Sequence, residues 1–280
     1  MSVLRPTYTT VDGVVYLTRE EWVMPRGGYS REDGPAYRQW SVVDGQLILT
    51  REAWYLRRSH HRIDGPANQR WIIVNGRPIL VFEEWYVNGK LHCIDGPAVQ
   101  TWFIINDEPV LSTEVWYENG LLHCVDGPAY QEWSLNGEPL IWGQVDVPQP
   151  EGNVFLRLEE WYLNGKRHRD DGPALQQWRL VDGVVFLVRE DWFWNDVHHR
   201  TDGPAFQAWN VVDGVAVLAE EEWYLNGRLI DPQVLRQPVR AIERWWQRQD
   251  EQRRQGIEEV LWDEGMTVFP GFMGMLREYK

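Results

Sequence analysis

The sequence predicts an all-β protein, built as an elongated single-layer antiparallel array of β-hairpin repeats with a C-terminal α-helical cap. Three observations predict it. The tetrapeptide Asp-Gly-Pro-Ala occurs six times, 31 residues apart except for one interval of 45. Two Trp positions recur around each copy, and Asn-Gly or Asp-Gly pairs separate short runs rich in Trp, Tyr, Val and Leu. Such a period is typical of arrays in which each unit packs only on its neighbours.

The tetrapeptides divide most of the chain into equivalent units. They begin at Asp33, Asp64, Asp95, Asp126, Asp171 and Asp202. One Trp follows each Asp by seven residues, at Trp40, Trp71, Trp102, Trp133, Trp178 and Trp209. Another precedes it by ten or eleven residues, at Trp22, Trp54, Trp85, Trp116, Trp161 and Trp192. We expect these periodic Trp residues to form the core of the array.

Each repeat is predicted to contain two hairpins. The pairs Asn164-Gly165 and Asp182-Gly183 tolerate the two positive φ angles of a type I′ turn. Asp-Gly-Pro-Ala lies between the hairpins, where a proline without an N–H favours a corner over the middle of a strand. The hairpins therefore alternate with corners in a long antiparallel meander.

The turn also sets the register of the predicted pairs. With Asn164-Gly165 at the centre, Trp161 faces His168, and the same construction pairs Trp85 with His92. We expect the imidazole to stack on the Trp ring and to bond a group of the turn. The aspartates of the corners, such as Asp95 and Asp171, are expected to cap backbone N–H groups.

Two further positions repeat near the first Trp. The residue after it is aromatic in six copies, so alternation places Glu and Trp on one face and the aromatic residue on the other. The register also places Asp191 opposite Arg200. We expect the residue two before the Trp, a glutamate in seven copies, to pair across strands and not to contact a ligand. These glutamates are Glu20, Glu52, Glu83, Glu114, Glu159, Glu190 and Glu221.

Regular His, Asp and Glu positions raise the alternative of catalysis or metal binding. If each unit adds four strands, equivalent histidines lie roughly 19 Å apart, whereas the ligands of one zinc ion lie about 2 Å from it. We therefore expect no catalytic residue, no metal and no cofactor. A cation held within one repeat, by His168, Asp171 and Glu159, is the alternative. The positions interpreted as structural include Trp85, His92, Asp95, Trp102, Glu159, Trp161, His168, Asp171 and Trp178.

Charge and composition restrict the partners. The chain holds 28 Lys and Arg against 42 Asp and Glu, a net charge of −14. An acidic array is poorly suited to phosphate backbones or anionic lipid, so no nucleic-acid partner is expected and membrane binding is disfavoured. No export signal or long apolar run is evident, which favours the cytoplasm. Cys93 and Cys124 occupy one slot in adjacent repeats and are predicted to be free thiols.

The part of the chain that keeps the repeat period defines the domain organisation. Residues 1–231 are predicted to form about six and a half repeats, with an inserted loop near 137–151 that carries Trp142. Residues 232–280 contain helix-forming sequence and are predicted to form a helical cap or a dimerisation segment. A homodimer through this segment is thus an alternative to a cap. The candidate binding residues are Trp142, Trp245, Trp246, Phe272 and Met275.

The repeat resembles a known family. The segments Trp-Tyr-Val-Asn-Gly-Lys-Leu-His at 85–92 and Trp-Tyr-Leu-Asn-Gly-Lys-Arg-His at 161–168, each followed by Asp-Gly, are similar to MORN repeats. The variant with Asp-Gly-Pro-Ala resembles repeats in proteins of giant DNA viruses and large phages. The resemblance implies a non-enzymatic scaffold for protein–protein interaction or assembly, viral or virion-associated, located in the host cytoplasm or the virion.

Two other functions stay open as alternatives. Some MORN proteins touch membranes, although the acidity of this chain speaks against lipid binding. Choline-binding and related cell-wall repeats also combine Trp, Tyr and Asn-Gly hairpins, and they hold cationic or sugar ligands in aromatic cages. An aromatic-ladder module for a carbohydrate or choline-type ligand is therefore the second alternative.

Overall fold

Every regular element that the structure describes is a β-strand. The structure is a computed structural model, and it describes residues 1–139 and 154–231. The chain divides into two compact units, Met1–Gly165 and Lys166–Lys280. The predicted helical cap at 232–280 lies outside the described residues, as do most of the inserted loop and the candidate residues Trp142, Trp245, Trp246, Phe272 and Met275.

The strands follow one another closely along the chain. In the first unit they are β1 (Val3–Val11), β2 (Val14–Val23), β3 (Tyr37–Val43), β4 (Gln46–Ala53), β5 (Tyr55–Leu56), β6 (Ser59–His60), β7 (Asn68–Val74), β8 (Arg77–Glu84), β9 (Tyr86–Val87), β10 (Lys90–Leu91), β11 (Val99–Ile105), β12 (Glu108–Val115), β13 (Tyr117–Glu118), β14 (Leu121–Leu122), β15 (Tyr130–Leu135), β16 (Glu138–Pro139), β17 (Val154–Glu160) and β18 (Tyr162–Leu163). In the second unit they are β19 (Lys166–Arg167), β20 (Leu175–Val181), β21 (Val184–Asp191), β22 (Phe193–Trp194), β23 (Val197–His198), β24 (Phe206–Val212), β25 (Val215–Leu225) and β26 (Arg228–Ile230).

Long hairpins build the main sheet of each unit. They are β1–β2, β3–β4, β7–β8 and β11–β12 in the first unit, and β20–β21 and β24–β25 in the second. Strand β15 pairs with β17 in the same way across the inserted segment. Consecutive hairpins are joined by three residue pairs, for example Ala53 with Asn68. The prediction of an all-β antiparallel hairpin array is confirmed within each unit.

The short hairpins stand apart from these sheets. Pairs β5–β6, β9–β10, β13–β14 and β22–β23 form separate two-stranded sheets. A repeat therefore adds two strands to the main sheet, and the expectation of four is wrong. Equivalent positions in successive repeats then lie about 10 Å apart. That spacing still exceeds disulfide range, and Cys93 and Cys124 are free thiols as predicted.

The turns have the geometry that the sequence predicts. Asn88 and Gly89 have φ angles of 52° and 76°, and Asn164 and Gly165 have 52° and 80°. Both central residues are left-handed, as a type I′ turn requires. The register follows, with Val87 opposite Lys90 and Tyr86 opposite Leu91. The next pair along the chain is Trp85 with His92, whose N–H donates to the Trp85 carbonyl at 3.0 Å.

Each long hairpin carries a β-bulge that the sequence analysis did not predict. In β11–β12, Thr101 pairs with Thr113 and Trp102 pairs with Leu111, which leaves Ser112 as the extra residue. The Ser112 hydroxyl donates to the Thr101 carbonyl at 3.0 Å. Because a bulge bends its strand and increases the local twist, the same deformation recurs beside each second Trp position.

The alanine of each corner is fully buried, whereas the periodic tryptophans are not. The twelve periodic Trp residues, among them Trp85, Trp102, Trp161 and Trp178, are all only partly buried. The periodic Trp residues that we expect to form the core are thus half-buried, and smaller residues fill the most enclosed positions. The corner alanines have 0% exposure in all six copies: Ala36, Ala67, Ala98, Ala129, Ala174 and Ala205.

Backbone hydrogen bonds explain why this alanine is enclosed. The Ala98 N–H donates to the Val115 carbonyl, and the Ala98 carbonyl accepts from the Trp85 N–H, both at 2.8 Å. One residue thus joins the start of one short hairpin to the end of the next long hairpin. A side chain larger than a methyl group has no space between the two.

We expect Ala98→Leu to destabilise the protein. Overpacking a filled site typically costs about 1–3 kcal/mol. The matched control is Ala216→Leu, since Ala216 is exposed in β25. Urea unfolding followed by Trp fluorescence compares the two variants, and equal midpoints for both would contradict the burial of the corner alanine.

Candidate functional site

The corners form the most regular exposed surface of the molecule. We define a corner as Asp-Gly-Pro-Ala with the two residues before its Asp. The first of those two residues is Arg in four corners and Cys in two. The arginines are Arg31, Arg62, Arg169 and Arg200, and the cysteines are Cys93 and Cys124.

In an arginine corner the guanidinium is held by four groups. Arg62 Nε–H donates to Asp64 Oδ1 at 3.0 Å, and Nη1 donates to the Pro66 carbonyl at 3.3 Å. The guanidinium carbon lies 4.3 Å from the centroid of the Trp54 ring. A Cβ on Gly65 would lie 2.7 Å from that carbon, so only glycine leaves room for the group. We call this combination of Trp face, Asp carboxylate, Pro carbonyl and bare Gly the guanidinium site.

The other arginine corners repeat this geometry. The Nε–Oδ1 distance is 2.8 Å for Arg31 with Asp33, 3.0 Å for Arg169 with Asp171 and 2.8 Å for Arg200 with Asp202. Arg31 lies 4.6 Å from the Trp22 ring, and Arg200 lies 3.9 Å from the Trp192 ring. Hydrogen bonds from the neighbouring arginine lower the pKa of Asp33 and Asp64. Asp171 thus binds an arginine, a contact that we did not predict, and at Asp33 and Asp64 a backbone hydrogen bond also contributes to the lowered pKa.

The expected pairing of Asp191 with Arg200 is wrong. Arg200 binds Asp202 in its own corner, because the strand breaks at Trp192 and Asp191 stays in the main sheet. Asp191 is fully buried and accepts hydrogen bonds from His198 at 2.9 Å and from Arg189 at 2.5 Å. Burial acts to raise the pKa of Asp191, but these hydrogen bonds outweigh it and the net shift is downward.

The cysteine corners differ in chemistry and in exposure. Burial raises the pKa of the Cys93 and Cys124 thiols, which keeps them in the neutral form. The residue after each Cys is apolar and points into solvent. Ile94 is 80% exposed and Val125 is 71% exposed, and Ile63 in the preceding corner is 80% exposed. We call Ile63, Ile94 and Val125 the corner row; the same position holds Glu32, Asp170 and Thr201 in the other corners.

The repeated histidines join successive repeats. His92 Nδ1 accepts a hydrogen bond from the Asn119 N–H in the turn of the next repeat, at 3.1 Å. The expected bond to a turn group is present, but the turn belongs to the neighbouring repeat. No ring stacking joins Trp85 and His92 among the described residues. The same bond is made by His61 with Asn88, His123 with Asn164, His168 with Asn195 and His199 with Asn226.

The aromatic residues after the first Trp contact further rings from neighbouring segments. Ring centroids lie 5.2 Å apart between Tyr29 and Tyr55, 4.1 Å between Tyr55 and His60, and 5.0 Å between His60 and Tyr86. In the second unit, His198 lies between Phe193 and Tyr224. Burial, with a smaller contribution from Arg51, lowers the pKa of His60 to about 4. In the first unit these rings thus pack at tilted or edge-on angles around His60, and in the second unit the His198 ring stacks between its two neighbours.

The repeated glutamates pair across strands as predicted. Gln69 donates to Glu83 at 3.3 Å, and Gln100 donates to Glu114 at 3.1 Å. Beside them, Trp161 Nε1 lies 3.5 Å from Glu159 Oε1. In the part of the chain that the structure describes, no group of three or more His, Cys, Asp or Glu side chains is placed to hold a metal ion.

A shallow groove of ≈ 290 Å³ lies between the two corners of the second unit. Trp192, Trp194 and His199 line it together with the guanidinium groups of Arg169 and Arg200. Both arginines already bind their own aspartates, so the charged groups along the groove neutralise each other.

Comparison of the chain with models of known families, with curated proteins and with solved structures finds no match. The described residues contain no helix with the length and hydropathy needed to span a bilayer.

We expect Gly65→Ala to displace the guanidinium of Arg62 and to lower stability by about 1 kcal/mol, through loss of its contacts with Trp54 and the Pro66 carbonyl. Gly96→Ala is the matched control, since the nearest atom to its added Cβ is Cys93 Sγ at 3.9 Å. Urea unfolding measures the difference between the two. The cost should also vanish when Arg62→Ala is already present; a cost that persists would exclude this explanation.

Proposed function

We propose that the chain is a non-enzymatic, MORN-like repeat scaffold that mediates protein–protein interaction or assembly. The corner row carries this proposal. Ile63, Ile94 and Val125 occupy the same position in three successive corners and are 71–80% exposed. Apolar residues scattered singly over a surface are common, but a row with regular spacing forms a continuous contact line for an extended partner.

The charge around the corner row indicates what such a partner should carry. Asp95 and Asp126 directly follow Ile94 and Val125 and are exposed, whereas Asp64, which follows Ile63, already binds Arg62. The chain as a whole has a net charge of −14. Because complementary charge speeds association and selects partners, a segment with both apolar and basic side chains fits this surface.

The histidines and glutamates support a scaffold over an enzyme. The repeated histidines accept hydrogen bonds from the next turn, and Glu83 and Glu114 bind glutamines on the facing strand. These contacts assign the histidines to joining successive repeats and the glutamates to pairing the two strands of a hairpin. The resemblance to MORN repeats supports a viral or virion-associated protein of the host cytoplasm, and a homodimer through residues 232–280 remains part of the proposal.

The test is a cross-linking pull-down from extracts of the cells or virions in which the protein occurs. Ile63→Ser, Ile94→Ser and Val125→Ser are combined to remove the corner row. The control combines Val184→Ser with Val185→Ser, at exposed positions of β21 that are 54% and 41% exposed. We expect at least one protein to be captured by the wild type and by the control and lost from the corner-row variant. Identical captured sets for all three would contradict the proposal.

A further inference from the structure

Two corners of the first unit retain the guanidinium site but not the arginine that fills it elsewhere. Cys93 and Cys124 stand where the other four corners have Arg. The remaining parts of the site are unchanged in sequence. They are Trp85, Asp95, Gly96 and Pro97 in one corner and Trp116, Asp126, Gly127 and Pro128 in the other.

The cysteine side chains do not reach the place of the guanidinium. In the arginine corners, a Cβ on Gly65, Gly172 or Gly203 would lie 2.7 Å from the guanidinium carbon. In the cysteine corners, the nearest atom to the same point is Sγ, at 3.9 Å for Gly96 and 3.7 Å for Gly127. The floor of the site is therefore open in both.

The groups that bind a guanidinium elsewhere have no cation in these two corners. Among the described residues, no Arg or Lys lies over the ring of Trp85 or Trp116, and no side chain donates to the carboxylate of Asp95 or Asp126. Both aspartates are exposed to solvent. Each cysteine corner thus presents an aromatic face and a carboxylate that an incoming cation can contact together.

We propose that the Cys93 and Cys124 corners are binding sites for two arginine side chains of a partner protein. The inference rests on the proposed interaction function and specifies the chemistry of the partner. An arginine fits because its planar guanidinium stacks on Trp while its N–H groups bind the Asp carboxylate and the Pro carbonyl, as Arg62 does within the chain. Lysine supplies the charge but neither the flat surface nor the fork of donors.

The spacing of the two sites indicates the form of the segment. Corners one repeat apart lie about 10 Å from each other, at two strands per repeat. In a polyproline II segment, residues three apart lie on the same side and about 9.3 Å apart, so two arginines separated by two residues match this distance. Apolar residues beside those arginines then meet Ile94 and Val125 of the corner row.

The test measures binding of fluorescein-labelled, proline-rich peptides to the full chain by fluorescence anisotropy. The probe peptide carries Arg-Pro-Pro-Arg at its centre, and two matched peptides carry lysine or the neutral analogue citrulline in place of both arginines. We expect the wild type to bind the arginine peptide most tightly, with affinity for the citrulline peptide at least about tenfold lower because the charge-assisted bonds and the cation–π contact are lost.

Substitutions in the chain itself either fill the two sites with arginine or remove the carboxylates that bind it. Cys93→Arg with Cys124→Arg supplies the arginine that the other corners carry, and should weaken peptide binding by at least about tenfold. Cys93→Ser with Cys124→Ser should bind like the wild type, because the thiols take no part. Asp95→Asn with Asp126→Asn, at exposed positions, should weaken binding even if the arginine variant fails to fold.

Several results would overturn the inference. With the wild type, these results are a failure to bind the arginine peptide, or equal affinity for the arginine and citrulline peptides. With the variants, they are unchanged peptide binding by the aspartate variant or by a folded arginine variant, or loss of peptide binding in the serine variant. If arginines of a second copy fill the sites instead, the wild type will form an oligomer and will not bind the peptide. Light scattering would then show a lower molar mass for the arginine variant than for the wild type. If the pull-down captures a protein that requires the corner row, but the arginine peptide does not bind, this inference is rejected and the proposed function is retained.

Discussion

The corner alanine and its two backbone hydrogen bonds are the constraint on which the repeat depends. The Ala67 N–H donates to the Glu84 carbonyl, and the Ala67 carbonyl accepts from the Trp54 N–H. The chain must therefore return to the main sheet at this point after each short hairpin. Because the site is closed on all sides, only a small residue satisfies both bonds. The corner thus determines that two strands per repeat enter the sheet while the short hairpin stays outside it.

This constraint also determines which groups reach the surface. Burying the alanine turns the preceding Asp and its neighbour outward, so that each corner exposes a carboxylate beside one variable residue. The first Trp lies next to the corner and offers one ring face to whatever occupies the guanidinium site. Arginines fill that site in four corners, where charge is neutralised within the chain. Cysteines leave it open in two, where the exposed residue is also apolar. Corners with the same backbone therefore differ in the groups that they offer to a partner.

Local sequence rules predicted the hairpins well, because two consecutive positive φ angles at Asn88 and Gly89 require few residue types. The strand count was wrong, since nothing in the turn pattern shows that strand β5 leaves the sheet after Ala53. The bulge had no residue signal, because the extra position holds Ser112 in one hairpin and Val81 in another. The bond from His92 to the next turn, and the arginines over Trp54 and Trp192, depend on contacts between segments that pairing rules do not describe.

Hydrogen exchange at the backbone amides of the corner alanines measures how firmly each corner is held in the fold. Their N–H groups all donate to a main-chain carbonyl on the second strand of the following long hairpin, and their side chains have 0% exposure. We expect these six amides to exchange only on unfolding of the surrounding repeats, with the slowest rates of each repeat. Exchange as fast as that of the turn glycines Gly45 and Gly76 would contradict this expectation.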